Sequence, residues 1–148
     1  MSDPMPWRYE DGGRAAAGYR GTAGDCAVRA AAIATGGDYT ALYDRINAVA
    51  KTERLGKRRR TRSSARNGVH RDTLHTVLTE HGFEWISLIG IGTCCTRRLA
   101  AGELPAGRLV VRLSRHYAAV IDSVLLDTHD CARGGTRCVY GYWQARKI

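Results

Sequence analysis

The feature that most constrains this chain is a cysteine placed where a glycine-rich loop meets an alanine-rich run. Gly24 and Asp25 precede Cys26, and Ala, Val and Ile dominate the nine positions that follow it. Asp is a strongly preferred N-cap residue, so the pattern predicts a helix that begins at Cys26. Gly36 predicts where that helix ends, because glycine readily adopts the left-handed conformation of a C-terminal cap.

A thiol in the first turn of a helix lies in the positive end of the helix dipole. That position lowers the thiol pKa and favours the reactive thiolate, so Cys26 is a candidate nucleophile. The alternative from this stretch alone is a structural cysteine, because Cys is among the most buried residue types.

A nucleophilic thiol needs a base and a group that orients the base. His116 opens a strand-like segment that ends at a tight-turn signal, Asp122 followed by Ser123. If those two residues form the hairpin loop, Asp127 lies diagonal to His116 on the same face of the sheet. A three-residue loop would shift the register by one and leave Asp122 or Asp130 as the orienting acid. The preferred catalytic group is therefore Cys26, His116 and Asp127.

The remaining periodicities predict an α+β protein. Apolar residues at helical spacing favour helices over 39–51 and 69–81, and a short helix over 96–101. Alternating or β-branched runs favour strands over 83–89, 108–113, 116–121, 124–127 and 137–143. Helices come first and an antiparallel sheet second. With 148 residues the chain fits one domain over 24–148, preceded by an irregular N-terminal arm over 1–23.

The chain is basic, with 23 Lys and Arg against 14 Asp and Glu and a net charge of +9. Residues 51–68 carry few apolar side chains, so we expect a mobile surface loop. The candidate anion-binding side chains there are Lys57, Arg58, Arg59, Arg60 and Arg62. Such a loop can hold nucleic acid, an acidic protein or an acidic substrate, and the alternative is a solvated loop with no dedicated partner.

The cysteines favour a reducing compartment, because their number, five, is odd. Cys94 and Cys95 are adjacent and no Cys-x-x-Cys pair is present, so we expect no metal site, although Cys131, Cys138 and His129 are also potential zinc ligands. Free thiols are the default, and a Cys131–Cys138 pair across a Gly-Gly turn is the alternative.

No segment is long and apolar enough to cross a bilayer, and the first residues lack the pattern of a secretory signal. We therefore expect a cytoplasmic protein without a membrane partner and without a cofactor. The sequence leaves the oligomeric state open.

Cys26, His116 and Asp127 follow the order and roles found in the papain-like cysteine peptidase superfamily, which the chain resembles. The motifs Gly24-Asp25-Cys26, Ser114-Arg115-His116 and Asp127-Thr128-His129-Asp130 more closely resemble an uncharacterised family of bacterial and phage proteins. The resemblance implies a papain-like fold, in which the helix that starts at the cysteine packs on the sheet, and a Cys-His-Asp triad.

The chain departs from the papain pattern at the oxyanion hole. That pattern takes one donor from a Gln several residues before the cysteine, where this chain has Tyr19, Arg20 and Thr22 instead. The Cys26 backbone N–H can supply one donor. Thr22 is the candidate for the second.

The expected function is a thiol hydrolase, specifically a cysteine peptidase or deconjugating protease that cleaves a peptide or isopeptide bond of a protein substrate through an acyl-enzyme. The same groups can transfer the acyl group to an amine, so an acyl transferase stays open. The alternative from a different class is a non-catalytic basic module of phage or mobile-element origin that binds nucleic acid or an acidic protein.

Overall fold

A computed structural model describes residues 3–21, 23–57, 59–89 and 95–146. The elements in chain order are β1 (Trp7–Tyr9), α1 (Cys26–Thr35), α2 (Tyr39–Ala50), α3 (Arg71–Glu80), β2 (Phe83–Ser87), β3 (Arg108–Leu113), β4 (His116–Ile121), β5 (Val124–Asp127) and β6 (Gly141–Ala145). The α+β class is confirmed. None of the helices in these described ranges combines the length and the apolar character that crossing a bilayer requires.

The helix boundaries follow local signals. Helix α1 begins at Cys26, as predicted, and its C-cap residue Gly36 has φ 71°, the left-handed conformation that glycine adopts at low cost. Helix α2 is capped by Asp38, whose side chain accepts a hydrogen bond of 3.0 Å from the Ala41 backbone N–H. The sequence-predicted helix over 69–81 is observed over 71–80.

The sheet has six strands in the order β1-β5-β4-β3-β6-β2, and β1 runs parallel to β5 while the other pairs are antiparallel. The expectation of a purely antiparallel sheet was therefore wrong, and the N-terminal arm, for which an irregular course was expected, contributes the three-residue strand β1. The outer edge of β5 accepts the extra strand through hydrogen bonds from Leu125 N–H to Pro6 O, 2.8 Å, and from Glu10 N–H to Asp127 O, 3.1 Å. A three-residue strand is too short to show a period in the sequence.

The β4–β5 hairpin has the predicted two-residue loop. Ile121 pairs with Val124, which leaves Asp122 and Ser123 as the loop. Their φ values are 48° and 66°, as a type I′ turn requires at both central positions. This register keeps Asp127 on the face of the sheet predicted for it.

Apolar side chains pack on both faces of the sheet. The helices cover one face, where strand residues such as Val110, Ala119 and Trp143 join their core. Loops cover the other face with Met5, Leu99, Leu104, Cys131 and Val139. Helix α1 packs directly across β4, and the contact brings the start of the helix to the start of the strand.

The short helix predicted over 96–101 is absent from residues 96–101, all of which the structure describes. This segment is extended, because Arg98 forms a bridge to Cys138 and Ala100 forms a bridge to Pro4. These pairings across the chain replace the local hydrogen bonds that a helix would form.

The second half of the basic loop is fixed by a buried carboxylate. Glu53 accepts hydrogen bonds from the Ser63 N–H, 2.6 Å, from the Ser63 hydroxyl, 2.5 Å, and from the Thr73 hydroxyl. Ala65, which is fully buried, donates its N–H to the Asn47 side chain at 2.9 Å. Residues 63–65 are thereby attached to α2 and α3.

Replacing Glu53 with Ala should lower the free energy of unfolding by about 2–3 kcal/mol, because three buried donors lose a charged acceptor. Urea unfolding monitored by circular dichroism measures this change. Glu80→Ala is the matched control: Glu80 pairs with Arg45 in an exposed ion pair, so a loss below about 1 kcal/mol is expected. Equal losses of unfolding free energy in the two variants would contradict the role of Glu53 as a buried hydrogen-bond acceptor.

The Glu53 effect should also depend on pH. Burial raises the pKa of Glu53, but the hydrogen bonds from Ser63 and Thr73 outweigh burial and hold the pKa below its ordinary value of 4.5. A carboxylate whose folded pKa is depressed contributes its stability above the ordinary pKa and loses it as pH falls through the folded pKa. The difference between native protein and Glu53→Ala should therefore shrink in acid.

Candidate functional site

His116 and Asp127 form a buried pair between two adjacent strands. His116 is the first residue of β4 and Asp127 is the last residue of β5. His116 Nε2 lies 2.7 Å from Asp127 Oδ2. The other carboxylate oxygen accepts the Thr128 N–H at 2.7 Å and lies 3.5 Å from Arg29 Nη2. Both oxygens of Asp127 are engaged, so the carboxylate fixes the orientation of the imidazole ring.

Cys26 completes the group from the first turn of α1. Its thiol lies close enough to the His116 ring for each group to shift the pKa of the other. Asp127 occupies Nε2, so Nδ1 is the ring nitrogen left for the two neighbouring thiols, those of Cys26 and Cys131. The structure thus brings together the three residues that the sequence predicted as a catalytic group.

The electrostatics of the group favour a thiolate facing an imidazolium. Burial alone raises the pKa of Cys26, but the hydrogen bond and charge of His116, together with the charge of Arg29, lower it below the ordinary value of 9.0. Burial alone lowers the pKa of His116, but hydrogen bonds to Asp127, Cys131 and Cys26 raise it to about 11. The lowered pKa of Cys26 and the raised pKa of His116 favour the thiolate and the imidazolium over the same range of pH.

Asp25 has a different role from the predicted one. It stands at the N-cap position but makes no side-chain capping bond, and its φ of −95° and ψ of 24° lie outside the extended region typical of a cap. Its buried carboxylate instead pairs with Arg29, accepts a hydrogen bond from the Tyr39 hydroxyl and lies 3.0 Å from Arg14 Nε. Because Arg29 also reaches Asp127, it joins the helix carrying Cys26 to the strand carrying the acid.

Sequence reasoning missed Arg29 and Arg14. The spacing of Asp25 and Arg29, four residues apart on one helix, is a signal for an ion pair. No local pattern indicates that the same guanidinium meets Asp127, since that contact depends on how α1 packs on the sheet.

Cys26 and His116 lie in a cleft of about 880 Å³. The segment before α1, the loop around residues 61–70 and the turn between β3 and β4 form its walls, and the lining includes the side chains of Arg62, Arg112 and Arg115. No Asp or Glu is among its lining residues. The walls of the cleft around the thiol therefore carry positive charge.

Among the described anion-binding residues predicted from the basic loop, only Arg62 lines this cleft. Arg59 pairs with Asp72 at 3.3 Å, and Lys57 and Arg60 are exposed away from the cleft. Arg58 lies outside the described residues. The cleft instead draws Arg112 and Arg115 from the sheet, which the sequence analysis did not single out.

Thr22, the predicted second oxyanion donor, also lies outside the described residues. Asn67 lines the cleft, and its backbone packs against the loop before Cys26: a Cβ added at Gly24 would lie 3.0 Å from the Asn67 carbonyl oxygen. The Asn67 side-chain amide is thus a further candidate donor. It lies in a different loop from the one in which the papain pattern places the donor, so the local sequence gave no reason to select it.

Cys131 places a second thiol beside His116. It is 3% exposed, and one donor atom from each of His116, Asp127 and Cys131 lies within 4.8 Å of the other two. Such a set of nitrogen, oxygen and sulfur ligands is of the kind that binds zinc. A metal ion there would take the histidine nitrogen and the carboxylate oxygen that now bond to each other.

The pairing of the remaining cysteines differs from both alternatives given by the sequence. Cys95 and Cys138 form a disulfide, whereas free thiols or a Cys131–Cys138 pair were expected. The bridge between Arg98 and Cys138 brings the two segments side by side, while Cys131 is buried in the core. Cys94 lies outside the described residues.

Fold and site together define an α+β protein with a partly buried Cys-His-Asp group in a basic cleft. No protein-family model matches this chain, and comparison with curated proteins and with solved structures likewise gives no match. Its function is therefore argued from the geometry of the site.

Alkylation of Cys26 by iodoacetamide should stay fast well below pH 9, because His116 maintains the thiolate. In His116→Ala the imidazolium no longer offsets the rise in the Cys26 pKa that burial causes. The alkylation rate near neutral pH should therefore fall more than about tenfold, since each unit of pKa changes the thiolate fraction tenfold. Mass spectrometry of tryptic peptides measures Cys26 and Cys131 separately.

The control is His129→Ala. The His129 ring lies 5.4 Å from the His116 ring and lines the same cleft, but it is exposed. Its removal should leave the Cys26 profile unchanged. A native Cys26 with an ordinary thiol profile, unaffected by His116→Ala, would show that the pair does not activate the thiol.

Proposed function

We propose that the protein is a thiol hydrolase, specifically a cysteine peptidase or deconjugating protease that cleaves a peptide or isopeptide bond. The observation that carries this proposal is the position of His116, which bonds to Asp127 and lies beside the Cys26 thiol, whose pKa it lowers, in an open cleft. Nucleophile, base and orienting acid are the three parts that covalent acyl chemistry needs.

In the proposed reaction the Cys26 thiolate attacks the scissile carbonyl and forms a tetrahedral oxyanion. The His116 imidazolium gives its proton to the leaving amine as the carbon–nitrogen bond breaks, which leaves an acyl-enzyme on sulfur. Neutral His116 then takes a proton from water, and the resulting hydroxide attacks the thioester. The carbon–sulfur bond breaks, which releases the carboxylic acid and restores the Cys26 thiolate and the His116 imidazolium. Asp127 holds the ring in place throughout and stabilises its charged form.

The oxyanion is assigned to two donors. The N–H groups of the first helical turn have no partner within the helix, so the Cys26 backbone N–H can donate at the point where charge develops. The Asn67 side chain is the candidate for the second donor, because it lines the cleft and its backbone packs on Gly24.

The papain-like relationship is part of the same proposal. It is supported by a cysteine that begins a helix packed on the sheet, followed in the chain by a histidine and an aspartate on neighbouring strands. Bonding of the histidine to the acid through Nε2, which leaves Nδ1 for the thiol, is consistent with it.

The test is incubation with a library of proteome-derived peptides, followed by mass spectrometry of new peptide termini. Native protein should generate cleavage products that Cys26→Ala does not, because the acyl-enzyme cannot form without the thiol. Equal product sets from both proteins would contradict the proposal, as would products bearing only added amines, which indicate acyl transfer.

The variant Asn67→Ala distinguishes stabilisation of the oxyanion from activation of the Cys26 thiol. Loss of one oxyanion donor typically costs about 10²–10³ in turnover. The variant should lose peptide cleavage to that extent while its Cys26 alkylation profile stays native. Unchanged cleavage would remove Asn67 from the proposed oxyanion hole.

A further inference from the structure

Within the described part of the chain, three of the four arginines that line the cleft form no ion pair with an acidic side chain. Arg29 is neutralised by Asp25 and Asp127. Arg62, Arg112 and Arg115 make no ion pair with any carboxylate in the described part of the chain. Their charge therefore faces a space that also contains the reactive pair.

Arg115 occupies a position whose backbone conformation favours a different residue. It ends the two-residue turn between Leu113 and His116, and its φ is 56°. A non-glycine residue is strained in this left-handed region, so glycine would suit the turn better. Backbone strain of this kind at the edge of a reactive site is an indication of function. Here the strained residue keeps a cation next to the proposed base.

Arg112 and Arg62 contribute positive charge to the cleft from two other segments of the chain. Arg112 lies on β3 and is half-buried, so part of its water shell is already removed. Arg62 comes from the basic loop, next to the Ser63 segment that Glu53 fixes. The three guanidinium groups thus come from separately anchored segments and line one cleft.

We propose that Arg62, Arg112 and Arg115 form an acid-recognition subsite that selects a peptide segment bearing carboxylate side chains for the Cys26–His116 pair. The inference rests on the proposed hydrolase function. Guanidinium groups bind carboxylates through paired hydrogen bonds, and a cleft lined by one sign of charge concentrates the opposite sign. A polypeptide is favoured over nucleic acid because the occupant must present a carbonyl to the thiol.

The test compares two acetyl-tripeptide chloromethyl ketones that differ only in charge, one with three glutamate side chains and one with three glutamines. Each alkylates the cysteine with loss of chloride, so the rate of Cys26 labelling reports binding in the cleft. The glutamate probe should react about tenfold faster than its counterpart at low ionic strength, and the ratio should fall with added salt.

Arg115→Gly should reduce this ratio by about threefold or more without destabilising the fold, because glycine suits the turn. Arg133→Gly is the matched control. Arg133 also has a left-handed φ, 53°, and is exposed, but it does not line the cleft. For Arg133→Gly, the ratio of Cys26 labelling rates with the glutamate and glutamine probes should equal that of the native protein. Thermal unfolding checks the fold of both variants.

Equal labelling by the two probes, or a ratio unaffected by Arg115→Gly, would overturn the acid-recognition subsite. So would tight binding of a fluorescein-labelled single-stranded DNA that Arg115→Gly abolishes while the two probes react equally, because the arginines would then serve phosphates. Iodoacetamide, applied to the same samples, separates the two proposals. An unactivated Cys26 defeats the hydrolase proposal, whereas an activated Cys26 without charge preference defeats only the subsite.

Discussion

The contact on which the site most depends is the guanidinium of Arg29 between two buried carboxylates. Asp25 and Asp127 are 1% and 3% exposed, and Arg29 pairs with both. Without this cation Asp25 would keep only Arg14, and Asp127 only His116, as a charged neighbour. Removing one partner of a buried ion pair typically costs about 3–5 kcal/mol. Because Arg29 lies one turn after Cys26, the same pairing fixes the helix end that carries the thiol relative to the strand that carries the acid.

Side chains of alternating charge extend from this contact in both directions. Arg14 lies against Asp25, and beyond Arg29 come Asp127, then the imidazolium of His116, then the Cys26 thiolate. Each charged group has an opposite charge beside it, which lets charged side chains remain buried. The arrangement also fixes the ring of His116 from both sides. An imidazole held in this way needs no reorganisation to act as the proposed general base.

How much the sequence could predict depended on how far apart the interacting residues lie. The start of α1 at Cys26 and the loop Asp122-Ser123 rest on neighbouring residues, so glycine and turn preferences sufficed, and the hairpin register that brings His116 and Asp127 together followed. Asp25 was predicted as a cap because the N-cap preference is local. Its contacts with Arg14 and the Tyr39 hydroxyl depend instead on how the segments pack around the buried carboxylate. The disulfide of Cys95 with Cys138, which are 43 residues apart in sequence, was also beyond local reasoning because it depends on strand pairing.

The most direct test of the central claim, that His116 is an imidazolium stabilised by the Cys26 thiolate, is an NMR titration of protein labelled with ¹⁵N in its histidine rings. The account predicts that one of the five histidines keeps both ring nitrogens protonated well above the ordinary pKa of 6.5, and that this signal is missing from His116→Ala. In Cys26→Ala the same ring should lose its proton at lower pH, because the thiolate no longer stabilises the charge. A His116 ring that titrates near 6.5 in the native protein, with or without Cys26, would contradict the account.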